Sequence, residues 1–366
     1  MVAAILLLAG CVQIEEGGGF SDMPLTFRTY TPRATKSDPG VVSGNALPNN
    51  SYFGVFAWYQ PGTVGSHTGT WSELASKNWT PNFMFNQQVY FADDTYSYAP
   101  LRYWPANEEN TISFWAYWPY ELYAANNSGV LKLYQDNACT QDYTSSSSNG
   151  LPVVKYTVSN NQAEQYDLLF DSFVSQDMTW DNCSESSSNT DGVVPLTFRH
   201  ALSQIVFNVS VSNEVSAAGG EATIKAVSLT GVNTVGTCLN PAASLDASYW
   251  TSVGTPQTTS FTLGANQQDA AFILMPQALA EDGNTGHSVV SLTLTFDISF
   301  PAADDPSARV TYANNEMTAP VWTSTYGTTS WLPGRKYVYN ILAGLTEIEF
   351  SEVFTELWTN GDDIVL

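Results

Sequence analysis

SVVSLTLTFDISF, residues 288–300, alternates along most of its length. Val290, Leu292, Leu294, Phe296 and Ile298 fall on one side; Ser291, Thr293, Thr295, Asp297 and Ser299 fall on the other. A repeat of two belongs to an extended chain, whose successive side chains point to opposite faces. A helix would repeat at about 3.6 residues. The stretch therefore reads as a half-buried strand, rich in the β-branched and aromatic residues that suit a pleated surface.

The same period recurs outward from this stretch. TISFWAYWPY (111–120) places Ile112, Phe114, Ala116 and Trp118 on one face, and SQIVFNVSVS (203–212) does so with Ile205, Phe207, Val209 and Val211. Further strands are expected at 52–59, 152–158, 222–232, 270–276, 336–342 and 347–354, punctuated by Pro, Gly and Asn-Gly turn signals. Helical patterning is nearly absent; HALSQ (200–204) and Trp71 to Ser76 are each expected to form one turn of helix. Many strands with little helix predict an all-β protein built of sandwiches packed face to face. A length of 366 residues suggests two domains. TSSSSNG (144–150) reads as a loop, and NCSESSSNTDG (182–192) as a loop or linker near mid-chain, so the boundary is expected near residue 190.

Charge narrows the function. Twelve basic residues stand against 35 acidic ones, a net charge of −23. Phosphate backbones need a basic patch, so nucleic acid is not an expected partner. No polybasic run is present to hold an anionic membrane surface. A surface that is polar but poorly charged suits a protein displayed outside the cell.

The N-terminus, MVAAILLLAGCVQIEEGGGF, carries an apolar run too short to span a bilayer, which takes about 20 residues. Its length suits the core of a secretory leader. Leu8-Ala9-Gly10-Cys11 resembles the lipobox of bacterial lipoproteins. That resemblance implies a signal peptide over 1–10 and a lipidated Cys11 as the first mature residue, inserted in outer-membrane lipid; multiple acyl chains anchor stably where one does not. Met1 to Ala4 lacks the basic residues such leaders begin with, which leaves room for a start upstream. Glu15-Glu16 and Gly17 to Gly19 read as a flexible tether.

Three cysteines remain. Cys139 and Cys183 lie in Ser/Asn/Asp-rich loop sequence, and a disulfide between them is permitted in an exported protein, though spacing does not establish their proximity. Cys238 reads as a small buried residue, and no Cys/His spacing suggests a metal site.

Several strings together resemble the fimbrillin-like family, the subunits of Bacteroidales type V pili: FGVFAWY (53–59), NFMFNQQV (82–89), YAPLRYWP (98–105) with ISFWAYWPY (112–120), VPLTFRHALSQIVFNV (194–209), LTGVNTVGT (229–237), ILMPQ (273–277), and WLPGRKYVYNI (331–341) followed by Trp358. The resemblance implies two tandem transthyretin-like β-sandwich domains, 34–190 and 191–366, behind a tether and removable N-terminal strand over 11–33. It implies trimming by an Arg-directed protease, with Arg33 and Arg28 as candidate cut sites, and filling of the emptied groove by a strand from the next subunit. The expected partners are other fimbrial subunits, and host or microbial surface ligands. In the uncut chain PLTFRTYTP (24–32) would occupy the groove, with Leu25, Phe27 and Thr29 on one face. EIEFSEVFTELW (347–358) is the candidate donor. The tail beyond Trp358 is short for a donor extension, which favours an anchor, tip or accessory subunit over a stalk subunit.

Competing readings rest on individual residues. Trp104, Trp115, Trp118, Tyr117 and Tyr120 could form a sugar-stacking platform on a glycan-binding lipoprotein that never polymerises. Strand spacing instead puts Phe114 and Trp118 in a core and Trp115 and Tyr117 on the opposite sheet face. His67, His200 and His287 are isolated; His200 reads as a packing residue, and Ser203 lacks a nucleophile elbow. The pairs Asp93-Asp94, Asp304-Asp305 and Asp362-Asp363 lack the spaced ligands of a calcium loop. No carboxylate pair stands out for a β-rich hydrolase. No catalytic residue, metal or cofactor is expected.

Overall fold

The structure, a computed structural model, describes residues 20–30, 47–63, 66–67, 79–93, 95–107, 109–120, 130–146, 148–161, 164–172, 176–179, 192–246, 248–253, 257–261, 269–280, 289–322, 328–344 and 348–358. It is all-β. The chain opens with β1 (Phe20–Pro24), β2 (Thr26–Tyr30), β3 (Ser51–Gln60), β4 (Gly62–Thr63), β5 (Ser66–His67) and β6 (Met84–Ala92). Next come β7 (Thr95–Ser97), β8 (Tyr103–Pro105), β9 (Thr111–Trp118), β10 (Leu131–Tyr134), β11 (Val153–Thr157) and β12 (Leu169–Asp171). β13 (Val193–His200), β14 (Ser203–Val211) and the short helix α1 (Asn213–Ala217) precede β15 (Glu221–Val232), β16 (Val235–Cys238), β17 (Thr251–Ser252) and β18 (Gln257–Phe261). The rest are β19 (Asp269–Leu274), β20 (Gln277–Ala278), β21 (Ser291–Pro301), β22 (Arg309–Pro320), β23 (Ser330–Trp331), β24 (Arg335–Ala343) and β25 (Ile348–Leu357).

Four sheets carry the fold. The first has seven strands in the order β2-β13-β12-β9-β3-β6-β7, and the second runs β10-β11-β16-β17. The third runs β19-β14-β24-β25, and the fourth β18-β15-β21-β22. β21 shows why the opening stretch reads as it does. Leu292, Leu294, Phe296 and Ile298 are buried while Ser291, Thr293, Thr295 and Asp297 are only partly covered.

β9 departs from simple alternation because every residue from Thr111 to Trp118 is buried. Both faces of the first sheet are covered. Phe53, Val55, Phe114, Ala116, Trp118, Leu196 and Phe198 share one core with Leu25, Phe27 and Trp104. Phe56, Trp58, Trp115, Tyr117 and Phe170 face the other way, into a core shared with Leu131, Leu133, Val154 and Tyr156 of the second sheet. That second core continues without a break to Ile205, Phe207, Leu292, Leu294, Tyr337 and Tyr339.

Strand pairing does not change over at residue 190, where the division was expected. β13 is antiparallel to β12 and parallel to β2, so it belongs to the first sheet. β16 then pairs with β11, so residues from the second half complete the second sheet. A serine-rich composition carries no information about which sheet the next strand joins. HALSQ is not a turn of helix: His200 ends β13 and Ser203-Gln204 begins β14. Two residues, Ala201 and Leu202, suffice to pass from one sheet to another, and both are buried. Trp71 to Ser76 lie outside the described residues.

Candidate functional site

The N-terminal strand closes a seam in the first sheet. β2 lies at the sheet edge, parallel to β13, with Phe27 opposite Val194 and Arg28 opposite Pro195. Alternation places Leu25, Phe27 and Thr29 inward, at 0%, 2% and 6% exposure. Thr26 and Arg28 are exposed between them. The Phe27 ring meets Phe53, Phe114 and Tyr98 edge-to-face, with centroids 6.0, 6.1 and 5.6 Å away. Such contacts add to the area term of aromatic burial.

β1 continues the segment backwards, with Phe20 opposite Pro105 and Pro24 opposite Tyr103 of β8. Between the two strands, the Gly192 carbonyl accepts from the Thr26 N–H (3.3 Å) and from the Trp104 indole N–H (3.0 Å). Gly192 has φ +82°, and a Cβ there would lie 3.2 Å from Trp104 Nε1, so glycine suits the position.

Among the described residues, no strand pairs with the far edge of β2. The other end of the first sheet curls round to it instead, through side chains. Tyr98 Oη donates to the Leu25 carbonyl (2.8 Å) and accepts from the Arg102 N–H (3.3 Å), while the Leu25 N–H donates to the Arg102 carbonyl (2.9 Å). Tyr96 Oη accepts from the Thr29 N–H (3.0 Å) and lies 2.9 Å from Thr29 Oγ1. Burial pushes the Tyr98 phenol up to about 12, against the opposing pull of the Arg102 N–H.

The residues singled out from sequence fall as follows. Arg28 sits within β2. Cys11, Arg33 and Cys183 lie outside the described residues. Cys139 carries a free, half-buried thiol 3.9 Å from Thr237 Oγ1. Cys238 is buried, and burial pushes its thiol up to about 12.

The aromatic platform does not form. Trp104, Trp115, Tyr117 and Trp118 are buried, divided between the two faces of the first sheet as strand spacing requires. His200 is fully buried; its Nδ1 lies 2.6 Å from Asp167 Oδ2 and its ring stacks on Trp358 at 4.1 Å. Ser203 Oγ donates to the Leu332 carbonyl, away from that pair. Among the described residues no group of His, Cys, Asp and Glu could hold a metal ion. Nor is any helix among them long and apolar enough to cross a membrane.

Tyr96, Tyr98 and Trp104 escaped the sequence reading as parts of a strand slot. One signal was available. Pro24-Leu-Thr-Phe-Arg28 recurs as Pro195-Leu-Thr-Phe-Arg199, and the two copies lie in adjacent parallel strands. Leu196 and Phe198 face inward as Leu25 and Phe27 do.

Fold and seam together define an all-β sandwich protein whose main sheet is completed at one edge by its own N-terminal strand. The chain belongs to the fimbrillin-like family, which it matches over residues 33–358. It is 27% identical to the fimbrium subunit Fim1C of Phocaeicola vulgatus, over 99% of this chain and 96% of that protein. A fimbrial protein from Bacteroides vulgatus shares the fold with a TM-score of 0.57 at 20% identity, over 92% of this chain and 99% of that one. A cell-adhesion candidate from Bacteroides uniformis does so at 0.50 and 16%, over 93% and 99%.

Proposed function

We propose that this chain is a subunit or associated adhesin of a cell-surface fimbrium, and that it assembles by exchanging β2 for a neighbour's strand. One observation carries the reading: β2 is an edge strand whose inward side chains complete a core. Leu25 and Phe27 each contribute roughly 1.5–3 kcal/mol by burial. Removing the strand would bare that apolar surface together with the edge of β13, and such an edge is a template for another strand. A contact made this way is head-to-tail and does not close on itself, so it propagates into a filament.

Of the two candidate cut sites, Arg33 suits the folded chain better. The Arg28-Thr29 bond lies within a paired strand, with Thr29 buried and held by Tyr96. A protease needs its substrate free and extended, so cutting there requires β2 to leave first. In the same proposal Cys11 carries the lipid that holds the chain at the outer membrane before assembly. The glycan-binding alternative loses its intended stacking surface, because four of the five aromatic residues are buried.

The test is polymer formation. Limited digestion with a trypsin-like protease should give heat-resistant, high-molecular-weight ladders on denaturing gels. Protein that is trimmed at Arg33 and stays monomeric at all concentrations would overturn the proposal.

A further inference from the structure

We infer that Tyr96 and Tyr98 set the register of whatever strand fills the slot beside β13, and that the slot selects a strand from a different subunit, reading aliphatic–x–aromatic–x–Thr/Ser. The inference rests on the strand exchange proposed above.

Neighbours fix the roles at Tyr98: its Oη accepts from the Arg102 N–H and donates to the Leu25 carbonyl. Tyr96 Oη accepts from the Thr29 N–H and shares a second hydrogen bond with Thr29 Oγ1, in which either hydroxyl can donate. The slot thus asks for a backbone carbonyl at its first inward position. Four residues on, it asks for a backbone N–H and a side-chain hydroxyl. Between them Phe27 fits its ring among Phe53, Phe114 and Tyr98.

A slip of one residue would turn the apolar set to solvent. A slip of two keeps the faces. In one direction it brings the Phe27 ring to the Tyr96 phenol, which loses its hydroxyl partner; in the other it brings Thr31 there but puts Thr29 in the place of Phe27, among Phe53, Phe114 and Tyr98. The first leaves a buried polar group unmet and the second leaves the ring pocket unfilled, so both are disfavoured. The phenols and the ring pocket together fix a register that a repeating ladder alone would not.

The pattern of Leu, Ile, Val or Met, then an aromatic residue, then Thr or Ser at alternate positions occurs twice in the chain. One copy is Leu25-Phe27-Thr29 itself. The other, Leu168-Phe170-Ser172, spans β12, which is locked between β13 and β9. The candidate donor β25 offers Ile348 and Phe350 but then Glu352. In the slot of a second copy, Glu352 would bring a carboxylate to the buried Thr29 position, where burying an unpaired charge is heavily penalised. The occupant is accordingly a strand of another subunit that carries the hydroxyl.

The test begins from the full chain. It is digested with trypsin in the presence of fluorescent peptides, the protease is then inhibited, and retention is read by anisotropy. The matched peptide is MPLTFQTYT, with Gln replacing the cleavable Arg; the others are its Val-for-Thr29 counterpart and IEFSEVF from β25. The matched peptide should be held at least about tenfold more tightly than either, the ratio that about 1.4 kcal/mol gives. Equal retention of IEFSEVF would overturn the inference.

A second measurement leaves the chain uncut. Tyr96→Phe removes both bonds to Thr29 and Thr29→Val only the one through Oγ1, so Tyr96→Phe should speed cleavage at Arg28 by about tenfold, Thr29→Val by less, and the double variant should be no faster than Tyr96→Phe alone. Multiplicative effects would refute the register role. Failure to hold any peptide, alongside a non-additive cycle, would sink strand exchange and uphold the reading of Tyr96.

Discussion

Phe27→Ala is the sharpest probe of the seam. Phe27 is 2% exposed and packs on three aromatic rings, so truncation leaves a cavity walled by the rings of Phe53, Phe114 and Tyr98. Phe-to-Ala changes in cores cost about 3–5 kcal/mol. Were β2 to undock as a unit, that loss would appear in its local opening. A loss of about 4 kcal/mol raises the undocked population by roughly a thousandfold, at 1.4 kcal/mol per tenfold. Cleavage at Arg28 reports that population, provided the strand opens and closes faster than the protease cuts. The assay is limited trypsin digestion with mass spectrometry, timing cleavage after Arg28 against a site elsewhere. Urea unfolding followed by tryptophan fluorescence is measured in parallel. Cleavage at Arg28 should accelerate by two to three orders of magnitude, up to the point where opening saturates, while the main urea transition moves far less. A variant in which both sites accelerate equally would show that β2 leaves only when the whole protein unfolds, and a removable first strand would then have no physical basis.

Other expectations follow from individual contacts. Gly54→Ala would bring a Cβ within 2.4 Å of the buried Tyr117 Cε1 and 2.7 Å of Asn86 Oδ1, and should cost about 1–3 kcal/mol in denaturant unfolding. Trp358→Ala removes a buried indole stacked on His200; it should cost about 3–5 kcal/mol and speed hydrogen exchange in β25 ahead of β14. Tyr98 keeps its proton in the folded chain up to about pH 12, whereas an unfolded tyrosine loses it near 10. Unfolding therefore releases a proton in that window and stability falls as pH rises from 10 to 12; Tyr98→Phe should flatten that slope in alkaline unfolding curves. Replacing Cys11 by Ser should move the protein from membrane to soluble fractions, and continued attachment would refute the lipid assignment.

Period-two patterning made most of the strands legible. The segments expected at 52–59, 222–232, 336–342 and 347–354 appear as β3, β15, β24 and β25, with ends shifted by only a few residues. The inward face of β2 was legible for the same reason. β22 was not, because Arg309–Pro320 is polar and mostly exposed, with Tyr312 at 58%. Its strand character comes from pairing with β21, which no local pattern encodes. Sheet membership was illegible too. Whether Val193–His200 joins the strands before it or after it depends on the parallel match with β2, a contact across more than 160 residues. The phenols that clasp β2 lie in a short segment, Thr95 to Tyr98, with no periodicity of its own, and their role exists only once the sheet has curled.

The exposed edges of this fold are guarded unequally, and the inequality bears on which strand can leave. β22 presents a long edge, but its ladder is broken by a bulge. There Asn314 takes φ +56° and donates its N–H to Asp297, and Asn315 donates to the carbonyls of Phe296 and Tyr312. A twisted, bulged edge is a poor template for a second chain. The sequence of β25 is acidic, and its Glu356 pairs with Lys336 at 3.3 Å. β2 carries no bulge in its pairing with β13. Its inward residues are apolar or hydroxylic, its ladder among the described residues is on one side, and two phenols hold its other edge. Losing it uncovers β13, whose Val194, Leu196 and Phe198 repeat the inward pattern of the strand just lost. The new edge is apolar on its inward face, with one ladder donor missing at Pro195. A fold that breaks the ladder of β22 with a bulge, yet backs β2 with a strand whose inward face is apolar, has the asymmetry that directional assembly requires.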